Sequence, residues 1–171
     1  MGAPGAQRVE PVDGEWMAVA LDEARRGALA GEVPIGAVVV LDGRAVGRAH
    51  HAPIGRCDPT AHAEVLALRR AARAAGAYRL PGAVLYATVE PCPLCVGAAL
   101  LARVERVVFG ATDPKAGALG SVVDLGGARG FNHRFAVTGG VRAAEAADLL
   151  REFFRARRRS AAATGGDGER D

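Results

Sequence analysis

Two short stretches place reactive side chains close together. In TAHAEVLALRR, residues 60–70, His62 and Glu64 lie two apart where an apolar helical pattern begins. In VEPCPLCVGAALL, Cys92 and Cys95 open a second such pattern. Two cysteines three apart share one face of a helix and can chelate a single ion. A helix amino terminus also favours the thiolate that a metal requires. Taken alone, the cysteine pair fits a redox couple, half of a structural zinc site or two buried thiols as well. With only three cysteines in the chain, a closed four-cysteine site is excluded, and Cys57 is left over. His62 offers a third ligand, and three protein ligands with an open fourth position is the arrangement of catalytic zinc, whose bound water ionises near a pKa of about 7. Glu64 does not share a helix face with His62, which disfavours ligation and leaves its carboxylate beside such a water, where a general acid/base belongs. The plainer reading of Glu64 is a first-turn carboxylate stabilised by the helix dipole, worth about 0.3–1 kcal/mol.

The pattern around these residues predicts the elements that hold them. Asp13 can cap a helix with an apolar face of Trp16, Met17, Ala20, Leu21 and Ala24, which Gly31 stops. PIGAVVVLDGRAVGRAH reads as two strands joined at Asp42-Gly43. A loop, HAPIGRCDPT, leads into a helix over 60–75 with Asp58 or Thr60 as cap and Pro59 in its first turn. AVLYATV is a buried strand, a helix follows Pro91, and the strand ERVVFG precedes a glycine-rich loop over 111–133. A short strand in RFAVTGG and a last helix with the stripe Ala146, Leu149, Leu150, Phe153 and Phe154 complete the chain. The alternation predicts an α/β fold, a central mixed sheet covered on both faces, with ligands bound beyond the carboxyl ends of strands. Both reactive pairs lie at such places.

The 171 residues suit one domain over 13–159, with a flexible amino-terminal tail over 1–12 and a disordered carboxyl-terminal tail over 160–171. No apolar run reaches the roughly 18–20 residues that span a membrane, and the first residues lack the order of a signal peptide, so a soluble, cytoplasmic protein is expected. The net charge is +3, Lys115 is the only lysine, and RARRR closes the last helical pattern. Arginine suits bidentate phosphate contact. A GC-rich genome and a solvated helix end explain the same composition equally well.

HAE followed by PCPLC matches the H-x-E and P-C-x-x-C signature of zinc-dependent base deaminases. From about Trp16 to Arg159 the chain resembles the bacterial tRNA-specific adenosine deaminases, the TadA family, through GEVPIGAVVV, DPTAHAEVLALR, YRLPGAVLYATVEPCPLC, RVVFGATDPKAGALGS, FNHR and LLREFFRARRR. The resemblance implies a three-layer α/β/α cytidine-deaminase-like fold with a five-stranded sheet. It implies one zinc ion per subunit on His62, Cys92 and Cys95, and Glu64 as proton shuttle. It further implies hydrolytic deamination of adenosine to inosine at the wobble position of an arginine tRNA anticodon, and a homodimer. By the same resemblance Val33 and Pro34 form a pocket wall, Asp113 meets a ribose, Lys115 a phosphate, and Phe154, Arg155 and Arg157 grip the anticodon loop. Read without it, Asp113 before Pro114 is a turn and Phe154 a core residue. One position departs from the family: His51, in HHAP, stands where an asparagine usually bonds the target base. That departure keeps a second reading open, a deaminase of a free nucleobase or nucleoside of guanine or cytosine type. A catalytically silent RNA-binding module would be expected to have lost Glu64, which is present.

Overall fold

The computed structural model describes residues 8–164. Helix α1 (Asp13–Leu29) precedes the hairpin of β1 (Gly36–Leu41) and β2 (Arg44–His50). A short α2 (Pro53–Arg56) and α3 (Ala63–Ala75) lead to β3 (Val84–Val89), α4 (Pro93–Ala102), β4 (Arg106–Ala111), β5 (Ala136–Thr138) and α5 (Ala143–Thr164). The strands form one sheet in the order β2-β1-β3-β4-β5. Strand β1 is antiparallel to β2 and β3, whereas β3, β4 and β5 run parallel. The sheet is thus five-stranded and mixed, as the sequence predicts.

Alternation along the strands feeds two cores. Val38, Val40, Tyr86 and Val108 pack with Met17 and Leu21 of α1 and Ala146 of α5 on one face. Ala37, Val39, Leu85 and Val107 pack with Leu66, Ala67 and Ala71 of α3 and Val96 and Leu100 of α4 on the other. With helices on both faces, β4 is buried along its whole length, the mark of a central parallel strand. The hairpin turns at Asp42-Gly43 with φ values of 50° and 68°, the left-handed pair that a two-residue turn demands.

Four expectations need correction. Asp13 opens α1, but Val12 is the cap residue, and the buried Asp13 carboxylate accepts from Glu10 N (2.7 Å), from the Tyr86 hydroxyl (3.0 Å) and from Arg106. Helix α3 begins at Ala63 rather than Thr60. The Asp58 carboxylate takes the Thr60 amide (2.8 Å) and hydroxyl (2.7 Å), a local turn that competes with the helix and delays it. The expected loop before α3 contains α2. At the far end, α5 continues to Thr164, past the boundary expected at 159, because the segment SAAA is rich in alanine, the strongest helix former. Residues 1–7 and 165–171, which hold most of both expected tails, lie outside the described residues. Residues 8–12 are tied down: Arg8 O accepts from Arg106 (3.3 Å), and Glu10 pairs with it (3.2 Å). Among the described residues no helix is long and apolar enough to cross a membrane.

Candidate active site

His62 and Cys92 are the residues immediately before α3 and α4, both in extended backbone with ψ of 148° and 173°. Pro93 enforces this at Cys92, because a residue preceding proline is pushed out of the helical region, while proline itself suits the first helical position. Cys95 follows in the first turn of α4 and is fully buried. His62 Nδ1 lies 3.5 Å from each sulfur, and the sulfurs are 3.7 Å apart. These three are the group of potential metal ligands that converges among the described residues. Zinc bonds of about 2.3 Å to sulfur and 2.0–2.1 Å to nitrogen at tetrahedral angles require sulfur–sulfur and nitrogen–sulfur edges near 3.8 and 3.6 Å. The observed triangle has those edges. The donor set fits the ion.

The electrostatics point the same way. The hydrogen bond from Cys95, followed in effect by that of His62, pulls the Cys92 thiol down to about 4 despite burial. The same bond with Cys92, together with burial, pushes Cys95 up. A divalent cation binds thiolates, so metal binding here would release protons. Contact with Cys92 raises the His62 pKa. Glu64 is not one of the three converging groups but lies close enough for its carboxyl to feel the charges of Cys92 and His62, buried on α3. Burial raises its pKa, which is the condition for moving protons near neutrality.

His51 follows β2, its amide held by Ile35 O (2.9 Å), and its ring meets that of His62 edge-on at 4.9 Å. Burial, then the charge of His62, lowers its pKa, and its buried Nδ1 has no hydrogen-bond partner among the described residues. Pro34 is buried and Val33 half-buried in the segment that Ile35 joins to His51. A groove of about 440 Å³ brings Lys115 together with Phe154 and Arg155, and adds Leu150, Arg151 and Arg158. Phe154 is exposed there, so the stripe on α5 is covered only near its start. Arg157 is not in that groove: its guanidinium lies 5.6 Å over the Phe153 ring, beside a different groove against α1. Asp113 Oδ1 accepts from the amides of Lys115 (2.9 Å) and Ala116 (3.2 Å), the turn that its place before Pro114 suggested.

Sequence reasoning missed two carboxylates. Glu32, buried before β1, accepts from the amides of Ile54 (3.3 Å) and Gly55 (2.6 Å) and so fixes α2 beside His51. Glu90, buried at the end of β3, gathers the loop after β4; burial opposes its ionisation, but bonds from Ser121, Asp113 and Leu119 outweigh that and hold its pKa low. A charged residue closing the apolar run VLYATV was the available signal for Glu90. Glu32 had none.

Known proteins are similar to this chain in sequence and fold. A model of the MafB19-like deaminase family matches residues 12–158. The tRNA-specific adenosine deaminase of Bacillus subtilis is 46% identical over 140 residues, spanning 82% of this chain and 87% of that one. The tRNA(Ile)-lysidine synthase of Deinococcus deserti is 50% identical over 157 residues, 89% of this chain but 29% of that larger protein. A solved structure from work on A-to-I editing by tRNA:A34 deaminases at the wobble position of transfer RNA superposes with a TM-score of 0.77 and 44% identity. It covers 80% of this chain and 99% of the other.

Proposed function

This chain belongs to the bacterial tRNA-specific adenosine deaminases, and we propose that it hydrolyses adenosine to inosine at the wobble position of a tRNA anticodon, with an arginine tRNA as substrate. The observation that carries this is the triangle of His62, Cys92 and Cys95 at zinc-like edge lengths with the buried Glu64 beside it. One zinc ion per subunit, when bound, supplies a Lewis acid that lowers the pKa of water at the open fourth position. Glu64 takes a proton from the attacking water and delivers it to N1 of the ring as oxygen bonds to C6. It then passes the remaining hydroxyl proton to the amino group, the C6–N bond breaks, ammonia leaves, and inosine remains. His51, whose Nδ1 has no hydrogen-bond partner among the described residues, and the Val33-Pro34 segment receive the base. An anticodon nucleotide is unpaired and costs little to extrude.

Lys115, Arg155 and Arg158 supply positive charge for phosphates beside the exposed ring of Phe154, on which a base can stack. Asp113, with one oxygen engaged in its turn, meets the ribose through the other, and Arg157 reaches phosphate from the opposite side of α5. The deaminase unit, whose last helix runs to Thr164, works as a homodimer in the cytoplasm. Incubating the protein with total tRNA and locating inosine by sequencing tests substrate and reaction together; inosine at the first anticodon position of an arginine tRNA is expected.

His51 in place of asparagine favours a second reading, deamination of a free guanine- or cytosine-type base. That reading has no use for the cationic groove. Ammonia release from free bases with none from tRNA would establish it over the first.

A further inference from the structure

Glu90 closes β3 two residues before Cys92, and its carboxylate is committed to a single loop. Oε1 accepts from the amides of Leu119 (3.0 Å) and Ser121 (3.1 Å); Oε2 accepts from the amide of Asp113 (3.1 Å) and from Ser121 Oγ. Each oxygen thus serves two donors. The same loop is joined to the metal-ligating segment by Ala118 N to Pro91 O (2.9 Å), and its turn is closed by Gly117 N to Asp113 O (2.8 Å). A Cβ at Gly117 would fall 2.4 Å from Glu90 Cδ, so the loop packs against the carboxylate at a distance that only glycine permits. The loop carries Asp113 and Lys115, and Lys115 lines the groove with Phe154 and Arg155.

We propose that Glu90 is a positioning residue for tRNA recognition, holding residues 113–121 in the shape that presents Asp113 and Lys115 to the anticodon loop. The tie through Pro91 keeps that surface in register with Cys92 and Cys95. This role rests on the tRNA reading above. It requires a carboxylate specifically. An ionised glutamate is an acceptor at both oxygens, whereas a glutamine at the same place turns an NH2 group toward two donors and leaves them unsatisfied at nearly constant volume.

The test compares wild type, Glu90→Gln, Gly117→Ala and the double variant by kcat and KM on an anticodon stem-loop, zinc content and amide hydrogen exchange. Each single variant is expected to raise KM by about tenfold or more, with kcat within about twofold and zinc retained. The amides of Leu119 and Ser121 should exchange faster. The double variant should be at least as impaired as the worse single one, because the Gly117→Ala methyl also meets Asp113 O, 2.6 Å away, which Glu90→Gln leaves in place. Ser121→Ala, which leaves three of the four donors, should show the milder form. An unchanged KM in Glu90→Gln would overturn the proposal, as would a fall in kcat that tracks loss of zinc, which would place Glu90 in support of the metal instead. If wild type itself ignores the stem-loop, the tRNA reading has failed. In that case unchanged exchange at 119 and 121 in Glu90→Gln removes the positioning role too, and faster exchange upholds Glu90 as the residue that shapes this loop.

Discussion

Two of the buried polar clusters among the described residues differ in whether they are complete. One is anchored where β4 begins: Arg106 donates to both oxygens of Asp13 (3.0 and 2.8 Å), to Thr138 Oγ1 and to Arg8 O, while Tyr86 and Glu10 N complete Asp13. The other lies beyond the end of β3, where one nitrogen and two sulfurs face one another at 3.5–3.7 Å. There a carboxyl sits in low-dielectric surroundings and His51 Nδ1 has no partner among the described residues. In the first cluster donors meet acceptors in matched pairs, so it holds α1 and the amino-terminal segment to the sheet. In the second, two sulfurs and a ring nitrogen meet one another, in a donor set whose edges fit a zinc ion. Buried polar groups are costly unless paired. A cluster that is complete therefore indicates structure, and one whose donor set fits an ion indicates a ligand.

The contrast is broken most strongly by variants that should lose one property and keep the other. Glu64→Gln should lower turnover by about a thousandfold, within the range for a general acid/base, with the midpoint of urea unfolding unchanged. Arg106→Ala should do the opposite. It strands the buried Asp13 carboxylate, which costs about 3–5 kcal/mol in urea unfolding, while the fraction that remains folded keeps its zinc and its kcat. Turnover that fell with Arg106 at constant stability would mean that the two clusters are coupled.

Smaller effects sharpen the comparison at the surface. Replacing Arg155 and Arg158 with alanine should reduce the slope of log K for tRNA against log salt by roughly 0.7–0.9 per lost phosphate contact. Arg157→Ala, on the other side of α5 over Phe153, should change it less. Equal effects from all three would make the arginines a diffuse field rather than a groove. The smallest change is expected from His51→Asn, which restores the residue that the family resemblance leads one to expect. It should remain active on tRNA, within about tenfold of wild type, because either side chain offers a donor and an acceptor. If it fails on tRNA while wild type deaminates a free base, the second reading gains its support.

Legibility in the sequence followed distance along the chain. Glu64 and the three candidate ligands stood out because His62 and Glu64 are two apart and the cysteines share one turn. The Asp42-Gly43 hairpin and the alternation of β1 are equally local. Asp13 was legible only as a helix cap, since its partner Arg106 is 93 residues away and neither position carries a pattern that names the other. Glu32 was hidden for a related reason: its partners are backbone amides, which every residue has, as are three of the four donors to Glu90. The start of α3 was misplaced because Asp58 can cap a helix or close a turn around Thr60, and spacing alone does not choose. On α5 the helical stripe was read correctly as a pattern, but periodicity does not say where the covering sheet ends, and Phe154 lies beyond it.

The claim that the open cluster is a metal centre with Glu64 beside it is tested most directly by zinc per chain, measured by mass spectrometry on wild type, His62→Ala and Glu64→Gln purified in parallel. The expected values are one, none and one. Zinc lost equally from Glu64→Gln and His62→Ala would make Glu64 a ligand, and wild type without zinc would contradict the metal centre itself.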